Sequence, residues 1–235
     1  MINEVRETVM AILSKDNNGY ITPHEFNLFA KQAQLDIFED YMSRHQKNTL
    51  ATNLRQNNTG DGDRLKSTQE LIDRLSSNSA LTNDTGSDFI LPSNYFTLQD
   101  VYYGTAHVEY VSKAKLMMLN NSKLTAPSAS YPAYTFGGQD SSNRDLITVY
   151  PTSITSGVSA FYVRYPSDPK WTYATVGGNP LFNASAVDYQ DFELPLQDFN
   201  DLVIKICAYA GMNIREAEIV QAMAGLDQAN KMQGE

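Results

Sequence analysis

From the start of the chain, apolar side chains recur at steps of three and four. Ile2, Val5, Val9, Ile12 and Leu13 predict a helix, which Asn17-Asn18-Gly19 stops. Thr22-Pro23-His24-Glu25 restarts the pattern: Thr22 caps, Pro23 suits the first helical position and Glu25 completes a capping box. The helix that follows is expected to run to about Ser43 and beyond. It has two apolar seams, with Phe26, Phe29, Ala30, Ala33, Ile37 and Tyr41 on one face and Leu28, Leu35, Phe38 and Met42 nearly opposite. A helix apolar on two sides is buried on two sides. It is either the central helix of its own bundle, or a helix with one seam for the home core and one for a neighbouring subunit.

Residues 46–64 are polar and predict a helix extension ending in a mobile loop at Thr59-Gly60-Asp61-Gly62-Asp63. Leu65, Leu71, Ile72 and Leu75 predict one more short helix, and the Ser-, Asn- and Thr-rich stretch 76–87 reads as a linker.

From 88 to 194 the period shortens. Strand character marks Phe89–Leu91, Val101–Val111, Leu146–Tyr150, Val158–Tyr165 and Trp171–Val176, with Asn120-Asn121, Gly137-Gly138 and Gly177-Gly178-Asn179-Pro180 as turns between them. In the run 158–165, Ser159, Phe161, Val163 and Tyr165 share one face, and Tyr162 and Arg164 lie on the other. Eleven of the fourteen tyrosines, six of the ten phenylalanines and the single tryptophan lie in this region. The expected architecture is an antiparallel sandwich or small barrel.

Residues 195–235 return to helix. Phe199, Leu202, Val203, Ile206 and Ala210 follow an Asp198 cap, Gly211 is a stop, and Asn213 can cap a last helix bearing Ile214, Ile219, Val220, Met223 and Leu226. The predicted fold class is therefore α+β. An N-terminal helical part (1–87) and C-terminal helices (195–235) form one helical bundle, and an antiparallel β domain (88–194) is inserted between them.

Composition narrows the function classes. A chain of 235 residues with 42% hydrophobic and 19% charged residues can bury a core. Its apolar runs fall far short of the roughly 20 residues a membrane span needs, and its N-terminus lacks the pattern of a secretory signal. One cysteine, Cys207, excludes an internal disulfide and fits assembly in a reducing compartment. The net charge of −9 divides as −3 over 1–87, −3 over 88–194 and −3 over 195–235. That even spread shows no basic face for nucleic acid and suits a wall past which DNA slides.

Candidate chemistry is sparse. Aligned to a calcium-binding EF-hand loop, residues 14–25 place Asp16 and Asn18 at ligand positions and Glu25 at the closing acid. Ser14 stands where the first aspartate belongs, and Glu25 is also claimed by the capping box. His24, His45 and His107 have no Cys or His at metal spacing, and His107 is expected beside Glu109. Asp188 or Asp191 with Glu193 would be a nominal glycosidase pair. Cys207 reads as a buried structural thiol. No catalytic residue, cofactor or firm metal site is assigned.

Three stretches carry a resemblance. Asn18-Gly19-Tyr20-Ile21-Thr22-Pro23-His24-Glu25-Phe26-Asn27, followed by Gln32-Ala33-Gln34, is similar to a helix start recurring in virion proteins of crAss-like bacteriophages. Val163-Arg164-Tyr165-Pro166-Ser167-Asp168-Pro169-Lys170-Trp171 resembles a strand junction of the same group. Phe192-Glu193-Leu194-Pro195, with Leu202-Val203, Lys205-Ile206, Tyr209-Ala210-Gly211 and Ile214-Arg215, resembles its C-terminal helix pair. The order of parts is also similar to the adaptor (tail tubular protein A) of T7-like podoviruses.

The resemblance implies a non-enzymatic structural virion protein, a head-to-tail adaptor or connector. It would form a homo-oligomeric, dodecameric ring of about twelve copies around the DNA channel. Its partners would be the portal and the adjacent tail or ring proteins, with DNA passing unbound and no membrane involved. The virion would be assembled in the host bacterial cytoplasm. The residues alone leave two other readings open, a calcium module with a β domain and a tail-associated glycan-binding protein.

Overall fold

The computed structural model describes residues 1–13, 21–53 and 61–214, together with 225 and 228. It is mixed α+β, with five α-helices among the described residues and a large, nearly closed eight-stranded sheet. The chain divides into two compact units, residues 1–71 with 166–235, and residues 72–165.

The first unit holds α1 (Ile2–Leu13), α2 (Pro23–Asn53), most of α3 (Asp61–Arg74) and α5 (Phe199–Ile214). Ile2, Val5, Val9 and Leu13 put one stripe of α1 in the core, as their spacing predicts. They meet Phe26, Ala30, Ala33 and Ile37 of α2 and Leu202, Val203, Ile206, Cys207 and Ala210 of α5. The alanines keep side-chain volume low where the helices pack together. On the second seam of α2, Phe38 and Met42 are buried and Leu28 is 53% exposed.

Three expectations for these helices change. Asp61–Asp63 open α3 instead of lying in a loop, while α2 continues past Ser43 to Asn53 as its sequence predicts. Gly211 and Asn213 lie inside α5. Gly211 is buried there and does not end the helix. Asp198 sits in a 3₁₀ turn (Leu196–Asp198) and accepts a hydrogen bond from the Tyr41 hydroxyl. The stop at Asn17-Asn18-Gly19 and the expected last helix after Ile214 lie outside the described residues.

The second unit is the large sheet. Its strands are β1 (Ser76–Ala80), β2 (Thr82–Asn83), β3 (Asp88–Ile90), β4 (Tyr95–Tyr103), β5 (Ala106–Tyr110), β6 (Ala133–Gln139), β7 (Asp145–Tyr150) and β8 (Val158–Arg164). They run in the order β1-β8-β4-β5-β6-β7-β3-β2. The two outermost strands are consecutive pieces of one extended stretch. β1 pairs with β8, β2 pairs with β3, and Leu81 between them donates its N–H to Val158 O at 2.9 Å. One run of backbone thus hydrogen-bonds to both margins of the sheet and curls it toward closure, which protects both edges. Phe89, Val101, Val108, Ile147, Val149, Val158 and Ala160 fill the interior.

Four further expectations are corrected here. The stretch 76–87 is not a linker, because pairing with β8 and β3 makes strands of residues with little β propensity of their own. Val101–Val111 is two strands, turned at Gly104, whose φ of 59° suits glycine. The sheet is not wholly antiparallel: β5 and β6 pair in parallel at Glu109↔Ala133 and Tyr110↔Tyr134. A parallel neighbour needs a crossover, and α4 (Lys113–Asn120) lies in that crossover. In β8, Val158 and Ala160 face the interior while Phe161 is 39% exposed. Tyr162 and Val163, on opposite faces, are both buried, so the strand is not half-buried along one face as its alternation predicts.

The β domain also has other limits than 88–194. It begins near 72, and residues 166–194 belong to the unit that holds the helices, because Trp171, Phe192 and Leu194 are part of that unit's core. The hairpin β9 (Tyr173–Val176) and β10 (Asn179–Phe182) therefore lies in the first unit.

The packed interior predicts that Ile147→Ala, at a fully buried position, lowers the unfolding free energy by about 2–5 kcal/mol. Urea denaturation followed by circular dichroism measures it, and a loss under about 1 kcal/mol would show a loosely filled barrel.

Candidate functional site

Helix α2 opens as its sequence directs. Glu25 Oε2 accepts from the Thr22 N–H at 2.9 Å and from the Thr22 hydroxyl at 2.8 Å, while the Glu25 N–H donates to Thr22 Oγ1 at 3.3 Å. These bonds hold the Glu25 carboxyl below its ordinary value. The same carboxylate was the closing ligand of the EF-hand candidate, and here it serves the helix start. Asp16 and Asn18 lie outside the described residues.

One turn into α2, a polar junction begins. Trp171 is 2% exposed, so its backbone groups need partners. Asn27 supplies both: its Oδ1 accepts from the Trp171 N–H at 2.8 Å, and its Nδ2 donates to the Trp171 carbonyl at 3.2 Å. The indole N–H donates to Asn3 Oδ1 at 3.0 Å, and the Arg6 guanidinium carbon lies 3.9 Å from the ring centroid. Tyr173 and Phe182 of the hairpin stack on the indole at 5.6 and 6.0 Å.

Two turns further along α2, the buried Gln34 repeats this arrangement. Its Nε2 donates to the Ser167 carbonyl at 2.8 Å and its Oε1 accepts from the Glu193 N–H at 3.1 Å. Glu193 in turn accepts from the Ser167 N–H and hydroxyl at 2.9 and 3.2 Å. Asn27 and Gln34, seven residues apart on one face of the helix, thus tie two extended segments to α2. Asn27 ends the first resemblance stretch, with Gln34 in its continuation. Ser167 and Trp171 lie in the second stretch and Glu193 in the third.

The candidate acids all have structural work in this junction. Asp188 binds Lys170 at 2.5 Å, which holds its carboxyl low. Asp191 Oδ1 accepts from the N–H groups of Ile2 and Phe192, each at 2.8 Å, and so caps α1 from a distant part of the chain. Glu193 is engaged as described. Sequence spacing alone does not reveal partners such as Ile2, 189 residues from Asp191, and Gln34, 159 from Glu193.

The histidines do not converge. His24 is exposed and His45 is partly buried on α2. His107 Nε2 lies 3.1 Å from Asp100 Oδ1 on β4. Glu109, its expected neighbour, pairs with Lys115 at 3.7 Å. A cross-strand diagonal has replaced the contact along the strand. Cys207 is a buried thiol, pushed up to about 11 by burial. Among the described residues no three His, Cys, Asp or Glu side chains are placed to hold a metal.

The sheet unit carries a run of exposed apolar groups. α4 is attached through Leu116, which packs with Val111 and Ala133. Ser112 caps it by accepting the Lys115 N–H at 3.3 Å. Around that anchor, Met117 is 74% exposed, Met118 72%, Leu124 94% and Tyr131 82%. Leu124 and Tyr131 border an open cleft of about 900 Å³ lined in part by His107, Glu109, Lys115, Lys123 and Pro132. The alternation and turn signals that predict strands leave the segment 112–132 unread, so this surface emerges only from the fold.

Asn27→Ala leaves a buried donor and acceptor of Trp171 unmatched and is expected to cost about 1–3 kcal/mol. Because Trp171 is the only tryptophan, its emission reports on the junction directly, and the variant should red-shift it; unshifted emission with unchanged stability would contradict the bidentate role. Millimolar calcium is expected to leave the melting temperature unchanged. A rise that Glu25→Ala removes would instead show residues 14–25 holding the ion.

No protein-family model matches the chain, and no curated protein matches it.

Proposed function

We propose that the chain is a structural, ring-forming subunit of a podovirus-like head-to-tail connector, without catalytic activity. In this reading α1, α2 and α5 form a helical bundle, and the subunit binds its own copies, the portal and neighbouring tail proteins around the DNA channel. The observation that carries it is the meeting of all three resemblance stretches in one hydrogen-bonded junction. Asn27, Gln34, Ser167, Trp171 and Glu193 come from all three stretches and bond to one another. Stretches that merely happened to look alike would have no reason to converge. Their shared work is to hold an architecture, which is what related assembly parts have in common.

The exposed apolar groups of 117–131 add support, since a lone chain gains nothing from leaving large apolar side chains in water. No helix among the described residues is long and apolar enough to cross a membrane, and the reading requires none.

The test is assembly. Light scattering after size exclusion should show the purified chain either forming a ring or joining one when portal protein is added. Electron microscopy of the particle should accommodate this chain at the head-to-tail interface. A chain that stays monomeric with portal and tail partners, and is missing from particles, would remove the proposal.

A further inference from the structure

The even charge of the three thirds hides a local reversal. Between Tyr110 and Gln139 there is no Asp or Glu, while Lys113, Lys115 and Lys123 give +3. With −9 overall, the other residues sum to −12. This basic interval consists of α4, the loop after it and β6, so it coincides with the exposed apolar edge. Lys115 has Glu109 at 3.7 Å. Lys113 and Lys123 are exposed and make no ion pair among the described residues.

Large apolar side chains surrounded by charges of one sign have the composition of a protein-docking surface, where Met and aromatic groups are buried at the centre and charges stay at the rim. The sign selects the partner surface. Two copies of this edge cannot meet face to face, because their lysines would repel. They can meet an acidic surface, and the rest of the chain carries a net charge of −12. A contact between two different patches of identical copies is heterologous, and repeating it closes a ring or continues as a filament.

We infer that the basic, apolar edge at residues 110–139 docks head to tail onto the acidic surface of a second copy of this chain. The inference rests on the ring reading and deepens it by naming one side of the subunit contact. Duplex DNA is the other acidic candidate. It would use the lysines but leave Met117, Met118 and Leu124 without an apolar partner, so a protein surface fits better.

Sedimentation velocity on the full chain tests this with two variants, Lys113→Glu/Lys123→Glu and Met118→Ser/Leu124→Ser. All four positions are exposed, so melting temperatures should match the parent and separate docking from folding. The parent is expected to self-associate more tightly at low than at high salt, and each variant to weaken that association at least about tenfold. Equal association of parent and variants would overturn the docking edge while leaving the ring reading in place. A parent that stays monomeric at low salt would overturn it as well, and the ring reading would then stand or fall on incorporation into particles. Fluorescence anisotropy with a labelled duplex completes the set: parent binding at physiological salt that the charge reversal abolishes would give the lysines to phosphate and overturn the inference.

Discussion

A buried backbone that cannot pair with a neighbouring strand must find side-chain partners, and Trp171 is where this chain meets that demand. The indole is large enough to anchor a core, but burying it takes the peptide groups on either side out of water. Asn27 has the one side chain type, shared with glutamine, that can give and accept a hydrogen bond side by side. Its amide therefore acts toward Trp171 as a strand edge would. With that pair in place, residues 166–172 lie along α2, Gln34 receives Ser167 and Glu193, and Asp191 reaches the start of α1. The isolated hairpin β9–β10, too small to be stable alone, gains its support from stacking on the same indole.

The sheet unit meets the same demand by different means. Its margins are paired by a single polar stretch, Ser76–Asn83, whose side chains contribute little. Only Leu81 enters the interior cluster. The backbone of this stretch is what matters: it completes hydrogen bonding for β8 on one side and β3 on the other. A sequence whose side chains favour turns can serve as a strand here because the alternative is two unsatisfied edges.

These two cases show what the sequence reveals and what it conceals. Local signals were legible: the stripe of α1, the Thr22–Glu25 capping box, the strands around Phe89, Ile147 and Val158, and the return to helix after Pro195. Each depends on residues a few positions apart. Long-range determinants were not legible. Nothing local marks 76–83 as a strand, or assigns Trp171 to a helical core rather than to the β domain. Nothing local shows Gly211 packed inside a helix. The same holds for the acids at 188–193, whose chemistry is decided by Lys170, Ile2 and Ser167. The exposed edge at 117–131 escaped because it is irregular, and only its surroundings show that nothing among the described residues covers it.

The pairing of Ser76–Ala80 with Val158–Arg164 also sets a timetable. During synthesis the first strand of the sheet leaves the ribosome some eighty residues before its partner, and α1 and α2 wait longer still for α5. The sheet unit cannot finish until Arg164 has emerged, nor the helical unit until α5 has, and contacts so distant along the chain slow folding. The basic, apolar edge around α4 is made midway through that interval, before the sheet beside it is complete. Newly made chains would therefore expose it on an unfinished scaffold, where premature adhesion between nascent copies is the hazard. The three lysines, spaced through the stretch without a single acid, would repel the same segment on an adjacent nascent chain until folding is done.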